Sequence, residues 1–99
     1  MTTDIQILIV EPHMKPYAVT IENELSRFQQ LVGGYIEAVS LHDDLVLICN
    51  EEGKMLGLEP NRAVRGDIIA GTFIIAAVTP DGEFASLAER EIELLTEII

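Results

Sequence analysis

Residues 45–49, Leu45-Val-Leu-Ile-Cys49, form an unbroken apolar run, from which the predicted fold can be built. The acidic turn His42-Asp43-Asp44 precedes it and Asn50 follows it. A short apolar run between turn residues is typical of a buried strand. Asp4–Val10 and Thr72–Thr79 have the same apolar character. The sequence therefore predicts a sheet built around buried central strands.

A hairpin and a helix are predicted after the first of these strands. Tyr17–Ile21 resumes as a strand after a proline-bounded loop, so we expect it to pair with Asp4–Val10. From Glu22 the apolar period becomes helical, with Asn23 or Thr20 as the cap. Gly33-Gly34 should end this helix, because one glycine can adopt the left-handed conformation that closes a helix.

The middle of the chain is interpreted as further antiparallel strands. Tyr35–Leu41 alternates as a strand does, and Asn50–Lys54 has the composition of a hairpin loop with Gly53 at a positive φ. We therefore expect Met55–Leu58 to pair back on Leu45–Cys49.

Turns and a helix are predicted for the rest of the chain. Glu59–Arg62 is interpreted as a turn. The stretch that follows is expected to be irregular, with turn-favouring residues at Gly66-Asp67 and Gly71. The last helix opens on the capping box Ser86-x-x-Glu89. The predicted fold is α+β: a single small domain over residues 1–99, in which two helices cover one face of a mostly antiparallel sheet of five to six strands.

Composition and charge exclude several classes of protein. The chain has 99 residues, 48% of them hydrophobic, which suffices for one compact core. Its net charge of −11 repels phosphate backbones, so direct nucleic-acid binding is not expected. The lone Cys49 cannot form an internal disulfide; we expect a buried thiol and a cytoplasmic location. No apolar run is long enough to span a membrane.

Signatures of catalysis and metal binding are absent from the sequence. None of the common nucleotide-binding, zinc-protease or serine-hydrolase motifs occurs. His13 and His42 lie in loops, and the pairs Asp43-Asp44 and Glu51-Glu52 lack the alternating spacing of a calcium loop. We therefore assign no catalytic residue, metal or cofactor, and an enzyme is the least favoured class.

Several segments, in the same order along the chain, resemble the domain of unknown function 3846 family, small proteins that are frequent in phages and mobile elements. The segments span roughly residues 5–76: Ile7–Pro12, Lys15–Tyr17, Leu31–Glu37, Leu45–Lys54, Gly57–Arg62 and Ile69–Phe73. The final helix carries little of the resemblance, and the segment Ala63–Asp67 is shorter and less acidic than is common in the family. The resemblance implies no activity.

The family pattern nominates polar residues as candidates for binding a ligand or a partner: Tyr35, Glu37, Asn50, Glu51, Glu52, Asn61 and Arg62. Asn50 and Asn61 also fit residues that close their own turns. A guanidinium beside an asparagine is suited to holding a carboxylate or phosphate. An internal ion pair from Arg62 to Asp43, Asp44 or Glu37 is the favoured alternative.

Two functions are carried forward from the sequence. The first is a non-catalytic interaction or accessory factor of a phage or mobile element, for example in counter-defence, that binds a basic host protein. The second is a small-ligand module in which Asn61 and Arg62 bind an anion or nucleotide. We also expect a homodimer, because Ile98-Ile99 and the apolar stripe of the last helix exceed what one small sheet covers.

Overall fold

The computed structural model describes residues 3–99. The strands and helices in chain order are β1 (Asp4–Val10), β2 (Tyr17–Glu22), α1 (Leu25–Val32), β3 (Ile36–His42), β4 (Leu45–Asn50), β5 (Pro60–Val64), β6 (Asp67–Ala70), β7 (Phe73–Val78), β8 (Phe84–Ala85) and α2 (Glu89–Ile98).

The main sheet is antiparallel throughout, with β2-β1-β7-β4-β3 as neighbours and β8 paired to the end of β7. The hairpin of β5 and β6 forms a small second sheet. These features confirm the predicted α+β class, the β1–β2 hairpin and the three buried central strands β1, β4 and β7. Gly33 closes α1 in the left-handed region at φ 84°, as predicted.

The main sheet is covered on both faces, so the prediction that both helices cover one face is wrong. Helix α1 packs on one face through Phe28 and Val32. Helix α2 packs on the other face through Leu95, beside the β5–β6 hairpin, which contributes Val64 and Ile69. The reason lies in the central strands, in which both alternate sets of side chains are apolar and each set needs cover.

The predicted strand Met55–Leu58 does not form. Residues 51–57 instead make consecutive turns closed by local hydrogen bonds, among them Leu56 N–H to the Glu52 oxygen at 2.8 Å. Gly53 does not have the predicted positive φ. A Cβ on Gly53 would lie 2.8 Å from the main-chain oxygen of Ala70, so close backbone approach explains this glycine.

The β5–β6 hairpin occupies residues that were interpreted as turns. Pro60 and Asn61 belong to β5, and the tight turn to β6 uses Arg65 and Gly66, both in the left-handed region at φ 52° and 80°. The side chain of Arg65 donates a hydrogen bond to the main-chain oxygen of Leu41, which fastens the hairpin tip to the main sheet.

Both predicted helix caps are wrong. Helix α1 begins after Glu24, and the Asn23 side-chain amide donates to the Phe84 oxygen at 2.9 Å instead. Helix α2 begins after Ala88, whose N–H donates to the Glu91 carboxylate at 2.7 Å. Ser86 lies outside the helix, because its hydroxyl accepts the main-chain N–H of Gln6 at 2.9 Å and so joins this segment to β1.

Candidate functional site

A cleft of about 290 Å³ lies between the end of β4, the turn segment 51–55 and strand β6. We call it the acidic cleft, because four carboxylate side chains line it: Glu37, Glu51, Glu52 and Asp67. Cys49, Asn50 and Lys54 also line it. Four of the seven residues nominated from the sequence therefore meet here: Glu37, Asn50, Glu51 and Glu52.

Asn50 holds the inner wall of the acidic cleft. It is 5% exposed, and its side-chain amide donates to the main-chain oxygen of Val32, the last residue of α1, at 3.2 Å. Its side-chain oxygen accepts the N–H of Glu52 at 2.8 Å. Asn50 therefore joins the end of α1 to the turn segment. Of the two roles considered for Asn50, binding a ligand and closing its own turn, these bonds favour closing the turn.

The Cys49 thiol lies beside the Glu37 carboxylate, 4.0 Å from Sγ to Oε1. The thiol is buried and free, which confirms the predicted buried cysteine. Burial first, and then the charges of Glu37 and Asp67, raise the pKa of Cys49 above its ordinary value. The thiol therefore stays protonated at neutral pH, and a protonated thiol is a poor nucleophile and metal ligand.

Lys54 is the cation of the acidic cleft, and it is already paired. Its ammonium lies 2.5 Å from the Asp67 carboxylate, and both side chains are about two-thirds exposed, at 64% and 65%. The bond from Lys54 and its charge lower the pKa of Asp67, so this carboxylate is ionised at neutral pH. Because both groups are solvated, the pair contributes little to stability.

Exposed apolar side chains line the acidic cleft or adjoin its lining residues. Met55 is 80% exposed, Leu56 58% and Ile68 53%. Met55 and Ile68 line the cleft, and Leu56 follows Met55 in the turn segment. We call these three residues the apolar rim. Apolar side chains grouped beside charged ones are typical of surfaces that bind other proteins.

Tyr35 lies next to the acidic cleft but does not line it. Its main-chain oxygen accepts the N–H of Glu51 at 2.8 Å, while the side chain is exposed. The phenol makes no hydrogen bond within residues 3–99 that would hold it over the cleft.

Asn61 and Arg62 lie elsewhere, at the end of β1. The Asn61 amide donates to the main-chain oxygens of Val10 and Gly71, at 2.8 and 2.9 Å. The Arg62 guanidinium donates to the main-chain oxygens of Ile99, Glu11 and Met14, at 3.0, 3.2 and 2.5 Å, and to the Asn61 side-chain oxygen at 2.8 Å.

The prediction that Arg62 pairs with Asp43, Asp44 or Glu37 is therefore wrong. Within residues 3–99 the side-chain contacts between basic and acidic groups are Lys54 with Asp67 and His13 Nε2 with the Glu59 carboxylate, and neither includes Arg62. The error follows from the missing strand 55–58: the chain reaches Arg62 through β5, which lies against the end of β1 instead of the β3–β4 turn.

A second, apolar groove of about 410 Å³ lies between α2 and the β3–β4 turn. Its apolar lining comes from Leu41, Leu45, Leu94, Leu95, Ile98 and Ile99. Leu94 and Ile98 are 59% and 67% exposed, so part of the apolar stripe predicted for the last helix is uncovered. The homodimer inferred from this stripe remains a prediction.

Within residues 3–99, no three histidine, cysteine, aspartate or glutamate side chains come together as a metal site. The helices of the same residues are too short or too polar to cross a membrane.

The chain belongs to the family described as Domain of unknown function (DUF3846). The family model matches residues 5–99, so it includes the final helix, which the sequence segments alone linked only weakly to the family. No curated protein and no solved structure matches the chain.

Strand β6 brought residues to the site that sequence reasoning missed. Asp67 and Ile68 join the acidic cleft from β6, although the irregular stretch predicted around Gly66-Asp67 and Gly71 gave no reason to place them beside Glu37. Lys54 joins the cleft from the turn segment. The apolar residues on both sides of the Arg65-Gly66 turn, Ala63-Val64 and Ile68–Ala70, are the signal that could have indicated this hairpin.

Proposed function

We propose that this protein is a non-catalytic interaction module and that its acidic cleft binds a basic, partly apolar segment of another protein. The observation that carries the proposal is the set of four carboxylates beside the three exposed side chains of the apolar rim. The carboxylates attract basic side chains, and the rim offers apolar area that is otherwise left in water.

The charge of the whole chain supports a basic partner. The net charge is −11, and the one cation of the acidic cleft is held by Asp67. An acidic surface of this kind accelerates encounter with basic proteins and disfavours acidic ones. The resemblance to proteins of phages and mobile elements favours a basic protein of the host cytoplasm as the partner.

The alternative of a small-ligand module depended on Asn61 and Arg62, and both side chains are bonded within this chain. Each nitrogen of the Arg62 guanidinium already donates to an oxygen of this chain, and the Asn61 amide donates to two more. An anion would have to displace these internal bonds before it could be held by the guanidinium fork. Arg62 and Asn61 therefore support a structural role.

The experiment uses a defined basic probe with blocked ends, a fluorescent heptapeptide in which pairs of arginines alternate with pairs of valines. Binding is measured by anisotropy at low and at moderate ionic strength. The double variant Glu51→Gln/Glu52→Gln should bind the peptide more weakly and with a smaller salt dependence, because two attracting charges are removed. Both residues are exposed, so the fold should be retained.

The matched control is Glu93→Gln/Glu97→Gln, which changes the net charge equally on exposed positions of α2 outside the cleft. We expect this control to bind the peptide nearly as the wild type does. Equal weakening by both double variants would mean that only net charge matters. That result, or no binding at low ionic strength, would refute the proposal.

A further inference from the structure

Strand β3 is an outer strand of the main sheet, with β4 as its neighbour. The main-chain N–H and C=O groups of some of its residues point towards β4, and those of the others point away from the sheet. Glu51 N–H donates to the Tyr35 oxygen at 2.8 Å, and the β3–β4 register continues as Glu37 opposite Cys49. In an antiparallel pair, alternate residues exchange hydrogen bonds with the partner strand. Glu37 and Val39 therefore bond to β4.

The residues between them present their N–H and C=O groups outward: Ile36, Ala38 and Ser40. Within residues 3–99 no main-chain or side-chain group bonds to these outward groups. All residues from Glu37 to Ser40 are exposed. The edge carries neither lysine nor proline, the residues that commonly protect such edges.

The C-terminal end of β3 is protected from pairing with another strand. A bulge interrupts the register between Ser40 and His42, and the Arg65 side chain donates to the Leu41 oxygen. A strand added alongside β3 would therefore end at this point. The open edge is limited to residues 36–40, which is long enough for a short extended peptide.

We infer that this open edge binds the partner segment as an added β-strand. The inference rests on the proposed function and specifies how the acidic cleft is used. Glu37 belongs to β3 and also lines the cleft, so the edge and the carboxylates form one continuous surface. Main-chain bonds to Ile36, Ala38 and Ser40 supply affinity, and side chains supply specificity.

The register defines the chemistry of the partner. Glu37 and Val39 point to the same face, because side chains two apart on a strand share a face. A residue of the added strand beside Glu37 must be basic, and the residue beside Val39, which is 38% exposed, must be apolar. The partner is thus an extended segment with a basic and an apolar residue two positions apart.

Two other pairings are less favourable. A second copy added through β3 would align the two acidic clefts along one seam, and each chain carries a net charge of −11. The other outer strand, β2, lies at the far side of the sheet from the cleft. Its outward residues are Ala18, Thr20 and Glu22, and the Glu22 oxygen is already bonded to Glu24 N–H at 2.9 Å.

The test uses the arginine–valine peptide and compares proline variants of the two edges. Ala38→Pro removes an outward N–H without removing a bond to β4, and Thr20→Pro makes the matched change on β2. We expect Ala38→Pro to weaken peptide binding by about tenfold, the effect of one lost hydrogen bond plus local misfit. Thr20→Pro should bind as the wild type does.

A second readout does not depend on the folding of either variant. Hydrogen exchange of the Ile36, Ala38 and Ser40 amides in the wild-type protein should slow when the peptide is added. A peptide with methylated nitrogens along one edge should bind weakly, because it cannot pair with β3.

The outcomes separate this inference from the proposed function. Strand addition is overturned if the methylated peptide binds equally well and the three amides exchange at an unchanged rate. In that case the Glu51→Gln/Glu52→Gln comparison still decides whether the cleft binds basic segments. Light scattering that shows a dimer, with these amides already protected before peptide is added, would assign the edge to a second copy and also overturn the inference.

Discussion

Replacement of Arg62 by alanine should destabilise the protein far more than a surface arginine would. The guanidinium joins three segments: β5, the loop between β1 and β2, and the end of α2. In Arg62→Ala the main-chain oxygens of Glu11 and Ile99 lose a charged donor at partly buried positions. The Asn61 side-chain oxygen loses its donor as well.

The magnitude follows from the two partly buried bonds. A hydrogen bond that involves a charged group contributes about 1.5–3 kcal/mol. The lower value for the bonds to Glu11 and Ile99 gives a loss of about 3 kcal/mol. The bond to Met14 is exposed and therefore adds little to this loss. A surface ion pair, which the sequence favoured for Arg62, would contribute under about 1 kcal/mol.

Urea denaturation measures the difference. With an m-value of about 1 kcal/mol per M, Arg62→Ala should lower the midpoint by about 3 M. The control is Arg27→Ala, because the hydrogen bond from the Arg27 guanidinium to Gln30, on its own helix, is exposed; it should change stability by less than about 0.5 kcal/mol. Arg62→Lys keeps the charge but lacks the planar fork, so it should stay clearly less stable than the wild type. Equal midpoints for Arg62→Ala and Arg27→Ala would refute the reasoning.

Two further predictions concern the walls of the acidic cleft. Asn50→Asp removes the donor to the Val32 oxygen and buries a carboxylate, so urea denaturation should show a loss of about 2 kcal/mol or more; an unchanged midpoint would contradict the role of this amide. The raised pKa of Cys49 means that the folded protein keeps the thiol proton when the unfolded chain loses it, so stability should fall as the pH rises past the ordinary value of 9.0. Cys49→Ala should show a smaller decline, because Tyr17, whose pKa is also raised, still contributes to it. An identical pH profile for the two proteins would show that the thiol does not contribute.

The central strands could be predicted because their signal is local. β4 and β7 are nearly continuous apolar runs, and only burial in a sheet explains such runs at this length. The same property made the arrangement of the helices hard to predict. A strand that is apolar on both faces indicates that two layers cover it, but it does not indicate which helix lies on which face.

The β5–β6 hairpin could not be recognised from composition, because its stability comes from tertiary contacts. Pro60, Asn61 and Arg62 are turn-type or polar residues, and yet Asn61 and Arg62 are bonded to segments far away in the sequence. Side chains that bond to the main chain across such distances override local propensity. Without this hairpin, the cleft residues Asp67 and Ile68 could not be placed.

Among the residues nominated from the family pattern, Asn50, Asn61 and Arg62 are thus bonded within the fold. The nominated carboxylates and the edge of β3 are left for binding. An open edge exposes a protein to pairing with its own copies. Here the net charge of −11 opposes that pairing over distances of about 8–10 Å at moderate salt, while it attracts a basic chain. Neutralising the carboxylates nearest to β3 should therefore have two coupled effects, weaker binding of basic peptides and stronger self-association. A surface that served only solubility would show the second effect without the first.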